Sequence, residues 1–354
     1  MKITKLSGIN NPEENEAAEF YDYYIAIDWA STVMAIAWMR NNSIRPVVEK
    51  KLPAKVKVIK DYLKQLKGKK ILTIEETTGA QWLYVELKDY IDKIIICNPY
   101  HNALLKEGPK NDAKDAADLC KLLRAGLLKE VYHSNDENYK IRKLFSAYND
   151  LVKAGVRAQN QLSAIYRSYG LKYKKDKINI KNEPYIELII EDKQKAIKLY
   201  KEEKVVYEKI FRQIIKVNKT IKNLKAVSGI GLINAVKIFS VVIDAKRFED
   251  KYHYWSYCGL TKYRLESGER YYGKKNTQYS RLLKEAYKTA AMAALRGKND
   301  IQEYYEYLLR ERHPEKLAMN TVCRYIALST LAMMKHGREY KPYSWRKEKV
   351  NQIS

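Results

Sequence analysis

Residues 23–40 read YYIAIDWASTVMAIAWMR. Two apolar runs, Tyr23–Ala30 and Val33–Arg40, flank the short polar turn Ser31-Thr32. Runs of this length and composition predict strands, and a connection this short predicts a β-hairpin. Asp28 interrupts the first run. A carboxylate among Ile25, Ala26 and Ile27 is costly to bury unless it is paired or meets a cation. Read alone, Asp28 fits a strand-end turn as well.

The elements that follow decide the architecture. Arg45–Pro53 predicts a third strand. Val56–Gly68 has helical spacing at Val58, Ile59, Leu63 and Leu66 and stops on Gly68. A strand at Lys70–Thr77, a helix at Gln81–Tyr90, a strand at Lys93–Cys97 closed by Asn98-Pro99, and a helix at Ala113–Ala125 complete the run. The order β-β-β-α-β-α-β-α predicts a mixed α/β sheet covered by helices. It is also the order of the ribonuclease-H-like nucleases, which order alone does not establish.

That architecture gives Asp28 company. A parallel strand beside the first brings Glu76 near it. Glu75 competes, since alternation points the two glutamates to opposite faces and only one can reach the site. Asp112 and Asp115 are three apart at the start of a helix, on one face, where the helix N-terminus tolerates their charge. Each has a plain alternative, since Asn, Asp and Glu are common in first helical turns. Four such carboxylates together form an oxygen site for hard divalent cations, usually Mg²⁺. Two such ions can clamp the attacking and leaving oxygens of a phosphodiester displacement.

Charge points to the same class of partner. The chain has 354 residues with 67 Lys+Arg against 42 Asp+Glu, a net of +25, and is 46% hydrophobic. That length predicts two or three domains with a real core, and the charge suggests nucleic acid. A Lys-rich solubility coat is the competing explanation. Residues 1–120 hold 18 basic and 17 acidic side chains, a net of +1. Residues 121–230 reach +13 and residues 231–354 reach +11. The first twenty residues lack the apolar core of a signal peptide. The apolar stretch Tyr325–Met334 is about half a membrane span. Cys97, Cys120, Cys258 and Cys323 have neither zinc nor disulfide spacing. An intracellular protein, cytoplasmic and nucleoid-associated, without a membrane partner, is the expectation.

From Glu137 to Gly170, Ile141, Leu144, Tyr148, Leu151, Gly155, Ala158, Leu162, Ile165 and Tyr169 recur in steps of three and four. After a Lys-rich break at Lys172–Lys177, a second long helix starts near Pro184 with the same rhythm. This predicts a helical hairpin or coiled coil, internal or shared between subunits. The last third opens with Val227–Val236 (VSGIGLINAV), which resembles a helix-hairpin-helix element. Gly229 and Gly231 would let backbone approach a phosphate there, or simply stop and restart a helix. An apolar helix, Leu232 to about Val242, follows. In Leu260–Gly273 (LTKYRLESGERYYG), Lys262, Tyr263, Arg264 and Arg270 interleave cations with aromatic rings, a pattern suited to nucleic acid. Lys274, Lys275 and Arg281 extend the basic run. Composition alone makes Ser267 a turn serine. Two or three helices run to Gly337. The predicted domains are 20–128, a helical region 137–225, a C-terminal domain 226–337 and a basic tail 338–354.

Together these residues resemble the DEDD-type transposases of insertion sequences that use a bridge RNA, with the pilin-gene invertases as relatives. The matching motifs are Tyr24–Asp28, then Glu76-Thr77-Thr78-Gly79, Asn98-Pro99, and Lys110–Ala116 (KNDAKDA). The family pattern E-x-T-G aligns with Glu76. Later matches are Ser228–Gly231, Gly259-Leu260, Tyr263 through Gly268, Asn276 and Arg281–Leu283. The chain departs from the pattern at Lys262, where the family usually has proline, and at Lys275, where it usually has glycine. The resemblance implies an N-terminal RuvC-like domain holding Mg²⁺ on Asp28, Glu76, Asp112 and Asp115. It implies a C-terminal nucleophile, Ser267, that forms a covalent phosphoserine link to DNA. It implies a homo-oligomer, dimer to tetramer, with metal site and serine from different subunits. It implies donor and target double-stranded DNA chosen by a structured bridge RNA through base pairing. A Holliday-junction nuclease of the same fold using water, and a domesticated nucleic-acid-binding protein, are the alternatives.

Overall fold

The computed structural model describes residues 20–103, 111–133, 137–176, 183–268, 270–275 and 278–342. Lys110, Asn276 and most of the basic tail lie outside the described residues. The chain divides into two compact units, Met1–Asn135 and Asp136–Ser354.

The first unit is a five-stranded mixed sheet. Its strands are β1 (Tyr23–Trp29), β2 (Val33–Arg40), β3 (Val47–Pro53), β4 (Lys70–Glu75) and β5 (Lys93–Cys97). They lie in the order β3-β2-β1-β4-β5. The pairs β1–β2 and β2–β3 are antiparallel, and β1–β4 and β4–β5 are parallel. The central strands read as continuous apolar runs because helices cover both faces. On one face, Ile25, Ile27, Leu72, Ile74 and Ile96 pack on Ile59 and Leu63 of α1 (Val56–Gln65) and Leu83 and Leu87 of α2 (Ala80–Leu87). A single 3₁₀ turn, Lys88–Tyr90, follows α2. A short α3 (Pro99–Ala103) follows β5. On the other face, Tyr24, Ala26, Ala35 and Ala37 meet Ala116, Leu119, Cys120 and Leu123 of α4 (Asp112–Arg124). The alanines on both sides let α4 lie close to the sheet. Asn111 caps it, accepting from Ala113 N at 3.0 Å.

The second unit is mainly helical. Two long helices, α5 (Glu137–Ser168) and α6 (Pro184–Val217), pack antiparallel. Leu162 and Tyr166 meet Ile190 near their connection, and Tyr148 stacks edge-on against Phe211, centroids 5.2 Å apart, at the far end. A short α7 (Lys219–Leu224) leads through the Val227–Gly231 turn into α8 (Leu232–Val242). Then come α9 (Lys251–Tyr257), the hairpin β6 (Tyr263–Ser267) and β7 (Arg270–Lys275), α10 (Arg281–Ala294), α11 (Asp300–Arg310) and α12 (Glu315–His336). The core forms where Val236 and Phe239 of α8, Ala286, Tyr287 and Ala290 of α10, and Val322, Cys323 and Ile326 of α12 meet.

One expectation changes. The apolar stretch Tyr325–Met334 is part of a 22-residue helix that is long and apolar enough, by length and composition, to cross a membrane. Ala318, Val322, Ile326, Ala327 and Leu331 of that helix belong to the core of the unit. Its hydrophobicity is accounted for by packing on its neighbours.

Candidate active site

Strand register sorts the carboxylates. In β1 the odd residues Ile25 and Ile27 face α1 and α2, and Tyr24 and Ala26 face α4. Alternation therefore puts Asp28, half-buried at the strand end, on the α4 face. Ile27 is in register with Ile74 of the parallel β4. The next step along both strands pairs Asp28 with Glu75, on that same face. Glu75, half-buried, accepts from Asn102 Nδ2 at 3.3 Å. Asn102 belongs to α3 and is fully buried, and its amide also donates to Cys97 Sγ at 3.1 Å. Glu76 lies one step beyond β4, with opposite parity. Its backbone N–H donates to Cys97 O at 2.9 Å, and the residue is exposed. Asp112 and Asp115 occupy the first turn of α4, the helix covering the Asp28 face. Asp112 is exposed and Asp115 half-buried.

The sheet thus brings Asp28 and Glu75 to neighbouring strand ends beneath the helix that bears Asp112 and Asp115. Among the described residues, no three His, Cys, Asp or Glu side chains are gathered closely enough to hold a metal ion. The donor chemistry still suits one. All four groups are carboxylates, and the Asn102 Oδ1 carbonyl beside Glu75 is buried with no hydrogen-bond partner. Asn102 escaped the sequence reading. Its only signal is its place three residues after Asn98-Pro99.

Ser267 ends β6. The hairpin pairs Ser267 with Arg270, and Gly268 takes φ +58, a conformation glycine adopts without strain. All of β6 and nearly all of β7 are exposed. Tyr263, Tyr271 and Tyr272 are 43%, 56% and 60% exposed. Arg264 pairs with Glu266 at 3.5 Å, and the Arg270 guanidinium lies 5.6 Å from the Tyr272 ring centre. Lys262, Lys274, Lys275 and Arg281 are exposed around the hairpin. The cysteines offer no rival nucleophile. All four are buried. Burial pushes the Cys120 thiol up to about 12 and that of Cys323 up to about 11.

The two glycines of the α7–α8 turn differ. Gly229 has φ +84, and a β-carbon there would sit 2.1 Å from Ala290 O of α10. Helix packing explains this glycine. Gly231 is exposed at the N-terminus of α8, and a β-carbon there would meet nothing within 4 Å. It leaves the helix N-terminus open to solvent.

Comparison with known families covers both units. A family model for the DEDD transposases of IS110, described as a transposase, matches residues 25–170. That segment contains Asp28, Glu75, Glu76, Asp112 and Asp115. A second model, described as "Transposase IS116/IS110/IS902 family", matches residues 221–306, from α7 through Ser267 into α11. No curated protein matches the chain. The acidic sheet and the serine-bearing hairpin are thus matched by two transposase models, in chain order and over most of the described sequence, and the chain belongs to the DEDD-type transposases of insertion sequences.

Proposed function

We propose that the chain is a recombinase that cuts and rejoins DNA through a covalent link to Ser267, with a structured RNA choosing the sites. The observation that carries this reading is the placement of Ser267. It is an exposed hydroxyl at the tip of a hairpin whose surface alternates Arg, Lys and Tyr. Cations there hold phosphates and rings stack on bases. Ser267 Oγ attacks a backbone phosphorus and loses its proton. The P–O bond to the deoxyribose breaks, and the freed sugar oxygen takes up a proton. A sugar hydroxyl later attacks the phosphoserine, restores a phosphodiester and releases Ser267. No outside energy source is required, because the ester link keeps the phosphodiester's free energy.

Divalent cations, Mg²⁺ with two ions per site, would stabilise charge on the attacking and leaving oxygens when bound. Asp28, Asp112, Asp115 and one glutamate of the β4 end would hold them. Strand parity supports Glu75 for that role, while motif spacing supports Glu76. We read Glu75 as the ligand, oriented by Asn102. Exchange of each for glutamine separates the two. Glu75→Gln is expected to lower strand cleavage by about 10²-fold or more, while Glu76→Gln stays within about tenfold of the parent. The reverse order would return the role to Glu76.

The serine has its own test. Ser267→Ala should abolish the protein–DNA adduct seen on a denaturing gel after mixing with donor DNA and guide RNA, with RNA binding unchanged. An adduct that persists would overturn the assignment. Nicked ends in its absence would indicate water as nucleophile and a junction nuclease.

A further inference from the structure

A cleft of about 720 Å³ opens at the base of the serine hairpin, between the β6–β7 stem and helices α10 and α12. Two kinds of side chain line it. Lys262, Lys274, Lys284, Lys288, Lys316 and Arg324 form the cationic part, and no Asp or Glu is among the described lining residues. None of the six cations forms an ion pair with a carboxylate among the described residues. Lys284 lies over the Tyr279 ring at 4.3 Å, and the Arg324 guanidinium is 5.9 Å from the Trp255 ring centre. On the neighbouring α8, by contrast, Lys237 meets Glu285 at 3.1 Å. The other lining is apolar. Leu260, Met292, Leu317 and Met319 face the cleft, with Met292 49% and Leu317 44% exposed.

Six unmatched cations around an apolar surface fit a ligand that carries negative charge and an apolar face together. Inorganic phosphate has no apolar face, and an apolar metabolite has no use for six cations. A DNA duplex keeps its bases in the stack and offers mainly phosphates, leaving the leucines and methionines uncovered. An unpaired nucleotide supplies both parts, and the volume is of the size that encloses a small ligand. We propose that this cleft seats an unpaired stretch of the DNA strand handled by Ser267, its phosphates on the lysines and one base against Leu260, Met292, Leu317 and Met319. The choice of DNA over an unpaired RNA loop rests on the serine reading above, because Lys262 and Lys274 are the stem of that serine's own hairpin. From Lys262 to Ser267 an extended strand covers about 16 Å. That is about five stacked nucleotides, so the seated base should lie about that far from the cut.

The test uses the full chain and three fluorescent probes: a single-stranded deoxyoligonucleotide, the same sequence as a blunt duplex, and the same sequence as RNA. The variants are Lys288→Ala with Lys316→Ala, both exposed positions, and Leu317→Asp alone. Single-stranded DNA affinity is expected to fall about tenfold in each, and the salt slope by about one in the lysine variant. Duplex affinity should change less than twofold, and Lys→Arg at both positions should restore binding. Unchanged single-strand affinity in both variants overturns the proposal, as does an equal loss on duplex. A loss on RNA with none on DNA overturns it too. Ser267→Ala serves as the separate arm. If the parent forms no adduct but the cleft variants still lose single-stranded DNA, the serine reading fails and the cleft stands. If the adduct forms and the variants bind normally, the cleft alone fails.

Discussion

Gly229 and Gly231 stand two residues apart and answer to different forces. At Gly229 any β-carbon collides with the α10 backbone, and φ is +84. Gly229→Ala should therefore destabilise the protein by about 3 kcal/mol, from overpacking plus a strained backbone. Urea unfolding would read this as a lower midpoint at unchanged slope. DNA affinity per folded molecule should stay the same, because this glycine serves packing. At Gly231 there is space and an ordinary φ of −81, so Gly231→Ala should leave stability within about 0.5 kcal/mol. A loss of DNA affinity there would mark the α8 N-terminus as a phosphate contact. The opposite pattern, stability lost at Gly231 and binding lost at Gly229, would reverse both assignments. The glutamates make a related point. Two adjacent candidates, Glu75 and Glu76, are indistinguishable by type. The β1–β4 register, fixed by buried Ile27 and Ile74, places Glu75 with Asp28.

At the scale of elements, legibility followed burial. Strands β1 and β2 could be read directly because both of their faces are buried. Helix α4 is legible nearly end to end because its alanine and leucine stripe packs on the sheet. The β6–β7 hairpin left no such trace. Its faces are exposed, so no apolar alternation exists, and the Tyr-rich stretch read only as basic and aromatic. Short helices such as α3 and α9 are too short to show a helical period. The three-four rhythm makes the long α5–α6 pair legible, but one face of α6 is left exposed among the described residues. Leu188, Leu199, Val206 and Val217 are 65%, 54%, 51% and 85% exposed. Their spacings of 11, 7 and 11 residues put them on one side of the helix. Such a stripe on a folded protein marks a contact surface, and it supports a homo-oligomer. Leu199→Glu with Val206→Glu should lower the mass measured by light scattering, with helicity unchanged. An unaltered mass would place the subunit contact elsewhere.

Charge at the scale of the molecule divides as the fold does. The first unit holds 21 basic and 18 acidic side chains, a net of +3, and the second holds 46 and 24, a net of +22. A solubility coat would have no reason to follow a domain boundary. The division suits a chain whose second unit grips phosphates while carboxylates of the first meet DNA only through cations. Binding and chemistry should then respond to different ions. Raising monovalent salt from 50 to 200 mM should weaken duplex binding by about 10³-fold if six or so phosphates are held. Removing divalent cations with a chelator should abolish strand cleavage yet leave duplex affinity at fixed ionic strength within about twofold, because the +22 unit needs no metal to hold DNA. Filter binding across both series measures each effect on the same protein. If chelation released the DNA, cations would be bridging it to the acidic sheet, and the assignment of grip to the second unit would be wrong.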